Sequence, residues 1–473
     1  MEEAPSRRTG DRVFRVPRVT SWRVPTAPTP PRKTATVLSP MLIVYGFLAL
    51  ILAGTMLLSL PVSNKTGEFT PVLTALFTST SAVCVTGLVV VDTGTYWSSF
   101  GQAIIFSLFQ IGGFGFMTSA TLLLLAFGHR IGLRERILIS ESLSLQKLGG
   151  VVQLVRKMAL FTIIAEGLGA LIFFLRFWPE LPPLAALWKA TFHSVSAFNN
   201  AGFDLFGDFR SLIDFQNDPI MLLATALLIV LGGISFIVVA NVMTERRFSR
   251  FSLDTKIVLV TSATLLALGT IVILATEFAN PDTLGVMSYP MRVVNAFFQS
   301  ATSRTTGFSS FDTGAMANYS LFFIIMLMFI GGAAGSTAGG IKVNSLGLLA
   351  ATVWSSVTGK QYAGAFGKEF REDQMYRALA ILMVSLGLVA TTALILSSTE
   401  HMGFMRVLFE SVSAFGTVGL STGITPDLSV GGELVIIFAM FAGRLGPLTL
   451  VLQLVQRQHA ARYRFPEEQV RIG

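Results

Sequence analysis

Phe77-Thr78-Ser79-Thr80-Ser81-Ala82-Val83-Cys84-Val85-Thr86-Gly87-Leu88 recurs in altered form three more times along the chain. The second copy runs from Phe192 to Phe203, the third from Phe298 to Phe308 and the fourth from Phe409 to Leu420. Each keeps the order Phe, Ser, then Ser or Thr, then Gly, then Leu or Phe. The glycines Gly87, Gly202, Gly307 and Gly419 are 115, 105 and 112 residues apart. A long-period internal repeat fixes architecture before any local reading does.

The physical content of the repeat is a short helix of Phe, Ser and Thr that breaks into an extended, glycine-containing segment. Glycine takes positive φ and allows close backbone approach. Val85-Thr86-Gly87, Asn200-Ala201-Gly202, Thr305-Thr306-Gly307 and Thr417-Val418-Gly419 therefore read as carbonyl-lined segments, similar to the filter of potassium channels, in which backbone oxygens replace an ion's hydration shell. The expected ion-binding atoms are carbonyls near Val85, Thr86, Asn200, Ala201, Thr305, Thr306, Thr417 and Val418. Irregular backbone at membrane depth is tolerated only where protein buries it or it lines a wet cavity. Small residues that merely ease helix packing do not require the whole pattern four times.

Only 13% of the 473 residues are charged and 52% are hydrophobic, against about 25% charged in ordinary soluble chains. The expected class is an all-α polytopic membrane protein of eight spans, built from four parallel repeats of outer helix, pore helix, filter and inner helix around one pore. The repeats are read as 39–128, 129–244, 245–350 and 351–455. They are flanked by a disordered basic tail over 1–38 and a C-terminal tail over 456–473. Arg130, Arg134, Arg136, Arg246, Arg247, Arg250, Arg457, Arg462 and Arg464 follow the first, second and fourth inner helices. By the positive-inside rule this puts both termini in the cytoplasm and the protein in the plasma (inner) membrane. The same distribution turns the +8 net charge away from nucleic acid. No cleavable signal peptide is read at the N-terminus, where Arg and Pro adjoin no apolar core. Asp204, Asp208, Asp214 and Asp218 make an acidic loop after the second filter, either a cation-attracting vestibule or a solvated surface. Cys84 is the sole cysteine and reads as a small buried hydrophobe.

The inner helices carry glycine at matching places: Gly112-Gly113, Gly232-Gly233, Gly331-Gly332 and Gly443. Continuous spans are expected over about 100–127, 220–243 and 434–454. The third is expected to break, because Gly331, Gly332, Gly335, Gly339 and Gly340 crowd one stretch and each costs about 1 kcal/mol against alanine in a helix. A flexible loop there would block the cavity below the filter. A phosphate-binding loop is excluded, since Ile341 stands where its lysine belongs. Arg444 is the one charge deep in the fourth inner helix, and intramembrane charge points to function. It is read as a barrier to cations, as a tether for the loop, or as a structural ion pair with Glu410. Glu166 and Arg304 are candidates for structural pairing. The histidines His129, His193, His401 and His459 are scattered and form no metalloenzyme motif, so an enzyme is not expected, and no metal is read other than K+ at the filter carbonyls.

These features resemble the Trk/Ktr/HKT cation transporter superfamily. The four filter glycines, the Gly-rich third inner helix and Gly443-Arg444-Leu445-Gly446-Pro447 carry the resemblance over roughly 39–455. It is most similar to the membrane subunit of bacterial Ktr potassium uptake systems (KtrB type). The resemblance implies potassium uptake with one pore per subunit of a homodimer. It further implies a gate formed by the intramembrane loop and Arg444, and a cytoplasmic ring of separate RCK-domain subunits that binds ATP or ADP. It implies no covalent cofactor and stimulation by sodium. Gly87 matches the potassium-selective type, whereas serine there accompanies sodium selectivity. A sodium-selective or unselective transporter of the same architecture is the alternative.

Overall fold

The computed structural model describes residues 41–115, 118–119, 125 and 151–446. The basic tail, Arg130, Arg134, Arg136, His129, Pro447, Arg457, His459, Arg462, Arg464 and the C-terminal tail lie outside them.

Helices of three kinds follow one another in each unit. α1 (Met41–Leu58), α4 (Val151–Phe177), α8 (Leu253–Glu277) and α12 (Glu372–Thr399) are long or strongly apolar. They hold exposed Met56, Ile163, Ile271 and Leu394 outward. Such faces suit lipid rather than water. Each is followed by a short helix: α2 (Val72–Cys84), α5 (Pro183–Phe198), α9 (Tyr289–Thr302) and α13 (Phe404–Gly416). Proline introduces three of them: Pro71 at the N-cap of α2, Pro183 in the first turn of α5 and Pro290 in that of α9. There its missing N–H costs nothing. Their C-terminal halves are fully buried, including Phe77, Phe192, Phe298 and Phe409.

A third set completes each unit: α3 (Ser99–Phe114), α6 (Pro219–Gly233) with α7 (Phe236–Glu245), α10 (Asn318–Met328) with α11 (Val343–Val357), and α14 (Val430–Leu445). Ser98, Asp218 and Ser429 cap α3, α6 and α14 by accepting from backbone amides one turn on, the ordinary use of a short polar side chain. Packing is cyclic. α3 lies on α5, α6 on α9, α10 on α13, and α14 returns to α2. The chain thus closes a ring in which the short buried helices form the inside.

By length and hydropathy, α4, α8 and α12 each suffice to cross a membrane, and α6 with α7, bent by 94°, counts as a fourth only if taken as one span. The second inner helix, read as continuous, is therefore broken at Ile234–Ser235. Gly232 and Gly233 turn their carbonyls to another segment instead of continuing the helix. α3 stops at Phe114, with Gly115 at φ +78°, and α14 at Leu445, with Gly446 at φ +86°. Both end before the boundaries read from hydropathy, because a left-handed glycine closes a helix without steric cost. A two-residue hairpin pairs 364–365 with 368–369.

Candidate functional site: a ring of four backbone segments

The four segments after α2, α5, α9 and α13 share one backbone device. Val85, Asn200, Thr305 and Thr417, each two residues before its glycine, take φ of 58°, 57°, 80° and 49°. Gly87, Gly202, Gly307 and Gly419 take 89°, 73°, 92° and 89°. Thr86, Ala201, Thr306 and Val418 between them do not take positive φ. Alternation of hand turns successive carbonyls toward one side, whereas a regular strand alternates them. Three of the left-handed residues are β-branched, where positive φ is an outlier. Strain of this kind persists only where surroundings over-determine it.

The amides show what does so. Thr86 N–H donates to Ser81 O at 2.8 Å, Ala201 N–H to Ser196 O at 2.8 Å, Thr306 N–H to Thr302 O at 3.0 Å and Val418 N–H to Ser413 O at 2.8 Å. The Gly87 and Gly419 amides donate to the Ser81 and Ser413 hydroxyls, both at 3.1 Å. In each segment the middle residue's amide is thus spent on its own short helix. The second conserved hydroxyl of the repeat acts here in the first and fourth copies. The first acts elsewhere: Ser79, Ser194 and Ser300 donate to the Ile51, Glu166 and Leu266 carbonyls of the preceding long helices at 2.7–2.9 Å. A Cβ on Gly54, Gly169 or Gly269, one turn on, would strike these hydroxyls. In the fourth copy Ser411 bonds back within its own helix to Val407 O.

The glycines close the ring. A Cβ at Gly87 would lie under 3 Å from the Ala201 carbonyl oxygen, one at Gly202 from Thr306 O, one at Gly307 from Val418 O, and one at Gly419 from Thr86 O. Each glycine thus abuts the carbonyl that precedes the next glycine, and the fourth returns to the first. The twelve residues read as a filter from sequence come together as one cycle. A cavity of about 260 Å³ touches all four glycines and is walled by Asp92, Asp204 and Asp312.

Of the acidic loop, Asp204 faces this mouth, and burial, reinforced by the Asp92 carboxylate, pushes its carboxyl up to about 7 against the stabilising Phe206 amide. Asp214 and Asp218 are instead spent on Arg210 and Arg176, at 2.7 and 2.5 Å. Asp208 is exposed. The loop is part vestibule, part ion-paired scaffold.

On the other side of the ring the third inner helix gives way between α10 and α11. Gly331 N–H donates to Ile341 O at 2.8 Å and Val343 N–H to Gly332 O at 3.0 Å, closing the base of the intervening loop. Ala333 N–H donates to Gly233 O at 3.0 Å, and the Thr337 hydroxyl to Gly232 O at 3.0 Å. The loop is therefore stitched to the break in the second inner helix rather than loose, because both segments expose unpaired backbone groups that must be satisfied when buried. Gly331 and Gly339 lie against the side chains of Thr305 and Thr417, so the loop abuts the ring. Gly335 and Gly340 take positive φ within it. Lys342 Nζ donates to the Ala338 and Gly339 carbonyls. Arg444 Nη1 donates to Thr337 O and its Nη2 to Gly112 O. One guanidinium thus ties the loop to the first inner helix.

Arg444 does not pair with Glu410. Glu410 is buried and accepts from the Ser421 hydroxyl at 2.7 Å, the Thr422 amide at 2.9 Å and the Thr425 hydroxyl at 2.9 Å. It holds the strand that rises from Gly419. Nor do Glu166 and Arg304 form ion pairs among the described residues. Glu166 accepts from Gln110 and Asn199, and Arg304 donates to Ser262 O at 2.9 Å. Sequence reasoning missed the clamp at Glu410 and the glycine seats of Ser79 and Ser194. The second was signalled by Gly54 and Gly169, which precede their serines at the same separation.

Residues 31–462 match a family model described as TrkH, cation transport protein. The chain belongs to the TrkH family. The match covers every segment of the ring. It is 40% identical to the Ktr system potassium uptake protein B of Bacillus subtilis, over 92% of this chain and 96% of that one. It is also 40% identical to the potassium/sodium uptake protein NtpJ of Enterococcus hirae, over 92% and 98%. The crystal structure of the potassium transporter TrkH from Vibrio parahaemolyticus superposes with a TM-score of 0.70 at 19% identity, covering 90% of this chain and 86% of that one. TrkH-family proteins are membrane transporters, so the chain is a transporter and not an enzyme.

Proposed function

We propose that this chain takes up potassium across the plasma membrane through the ring formed by residues 85–87, 200–202, 305–307 and 417–419. The observation that carries the reading is the cycle in which each filter glycine makes room for its neighbour's carbonyl. Desolvated monovalent cations need several oxygen dipoles at once, and a ring of four backbone segments whose middle amides bond back to their own helices supplies them. The names of the Bacillus and Enterococcus relatives support potassium as the cation.

The architecture that goes with this reading is eight spans, four parallel repeats and both termini in the cytoplasm. The loop over Gly331–Gly340 with Arg444 is the gate: a charged, bonded plug against the ring. The chain works as a homodimer on a cytoplasmic nucleotide-binding ring of RCK type, with ATP and ADP acting there and sodium stimulating uptake. Potassium is cargo, bound at the carbonyls, and no covalent cofactor takes part.

The test is flux into proteoliposomes containing the chain alone. Potassium and rubidium entry with weak competition by sodium supports the reading, and equal entry of sodium supports the second one. That second reading, an unselective potassium and sodium transporter, is favoured by the name of the Enterococcus relative.

A further inference from the structure

The ring is fourfold in plan, but among the described residues only the second repeat ties a buried carboxylate on its long helix to the residue that leads into its filter segment. Glu166 on α4 is 8% exposed. The Gln110 Nε2 on α3 donates to both of its carboxylate oxygens, at 3.2 and 3.3 Å. The Asn199 Nδ2 donates to Glu166 Oε1 at 2.9 Å, to Gln110 Oε1 at 2.6 Å and to Val195 O at 2.9 Å. Two hydrogens thus serve three acceptors, and the three side chains lock one another. Only amides face the carboxylate among the described residues, so its charge is solvated by dipoles and unmatched by a cation.

The pseudo-equivalent positions set the cluster apart. Ser194 bonds the Glu166 carbonyl just as Ser79 bonds Ile51 and Ser300 bonds Leu266. Only the second repeat has a carboxylate where its neighbours carry plain aliphatics. Counted back from the filter glycine, Asn199 stands where Cys84, Arg304 and Gly416 stand elsewhere. A buried carboxylate held only by neutral groups is costly against an aliphatic of the same size, so fold stability is not what it supplies.

Its position says what it does supply. Asn199 ends α5 and is followed directly by Asn200, which is left-handed, and Ala201, whose carbonyl fits against Gly87. On the other side Gly113 has no room for a side chain, because a Cβ there would strike the Asn199 amide. Its neighbour Gly112 presents the carbonyl bonded by Arg444.

We propose that Glu166 is the positioning residue of the second filter segment: acting through Asn199 it fixes the Asn200 and Ala201 carbonyls, its charge favours a cation in that quadrant, and Gln110 ties the quadrant to the glycine end of the first inner helix. The proposal rests on the reading of the ring as a cation filter. It makes the four quadrants unequal: the second and fourth each hold a buried carboxylate among the described residues, but only Glu166 acts on the residue that leads directly into its filter segment.

The test uses the full chain in proteoliposomes, reading rubidium uptake against concentration and its inhibition by sodium. Glu166→Gln removes the charge and sets an amide against two amide donors. Its half-saturating concentration is expected to rise about tenfold, the equivalent of one strong charged hydrogen bond, with weaker discrimination against sodium and little change in maximal rate. The double variant Glu166→Gln with Gln110→Glu moves the carboxylate across the same contact, where Asn199 still donates to it. It is expected to return both readouts to within about threefold of the parent, which a packing role would not do. Should Glu166→Gln fail to fold, Gln110→Leu carries the test, since it keeps the carboxylate and cuts the link to α3. A shift in the same direction but smaller is expected there, because Asn199 loses one of its side-chain anchors while the charge stays. Parental half-saturation and sodium inhibition in a folded Glu166→Gln or Gln110→Leu protein would overturn the proposal. Absence of rubidium uptake by the parent chain would overturn the filter reading beneath it.

Discussion

At the residue scale the decisive positions are those where a side chain has no room. A Cβ at Gly202 would meet the Thr306 carbonyl oxygen at a separation no real side chain adopts, on a backbone already at φ +73°. Left-handed backbone alone costs a non-glycine residue about 1–2 kcal/mol, and here the group displaced is a carbonyl oxygen proposed to bind the ion. Gly202→Ala is expected to cut potassium uptake at least tenfold while the protein still purifies folded. Gly307→Asp, which adds bulk and charge beside Val418 O, is expected to abolish or reshape transport, and normal potassium uptake by either variant in proteoliposomes would contradict the ring. Asp204 gives a pH dependence. With its carboxyl near 7, the mouth gains a negative charge as external pH rises through that value and loses it below. Rubidium uptake at subsaturating concentration is expected to rise across pH 6 to 8, and Asp204→Asn to flatten the curve. The glycines themselves were legible in the sequence, because their pattern recurs. Glu410 was not, because an intramembrane carboxylate suggests a cationic partner, whereas this one is satisfied by hydroxyls and an amide one strand away.

At the element scale the loop between α10 and α11 lies against the ring, with Gly331 and Gly339 on the Thr305 and Thr417 side chains. Its glycine content announced a break, but not its attachments. Those depend on a second break, at Gly232-Gly233 of the neighbouring inner helix, and hydropathy hides a bend in a uniformly apolar run. Buried backbone groups left by one break are satisfied by the other, so the two interruptions are halves of one structure. Arg444 adds the third attachment. Arg444→Gln shortens the reach to Thr337 O and Gly112 O and removes the charge. It is expected to raise potassium flux severalfold in the absence of any activating partner, read as initial rate in proteoliposomes. A lower rate in a folded Arg444→Gln protein would show that the guanidinium supports the open pore instead of closing it. The helix ends at Gly115 and Gly446 escaped the sequence reading for a related reason: in an apolar stretch nothing but glycine conformation marks the stop.

At the scale of the whole molecule the four repeats are alike in plan and unlike in detail. The cyclic packing of each inner helix on the next repeat's buried helix makes the ring a property of the entire chain. No single repeat holds a complete site, and separately expressed halves are expected to show no uptake until mixed. Fourfold order was legible because the Phe-Ser-Ser/Thr-Gly pattern survives in every copy. What the departures from it do to the ring was not. The third copy is one residue shorter before its glycine, which sends both Thr306 and Gly307 amides to Thr302 O, at 3.0 and 3.5 Å. The second carries the Gln110–Glu166–Asn199 cluster, whose members are far apart in sequence and meet only when the ring closes. The reading of the ring as a filter requires that the Thr86, Ala201, Thr306 and Val418 carbonyls together hold a dehydrated monovalent cation. Anomalous diffraction from crystals of the protein in rubidium tests it directly. A rubidium peak on the ring axis, within coordinating distance of all four oxygens and diminished by sodium only at large excess, is expected. Rubidium bound only among Asp92, Asp204 and Asp312 at the mouth, with none between the four carbonyls, would contradict it.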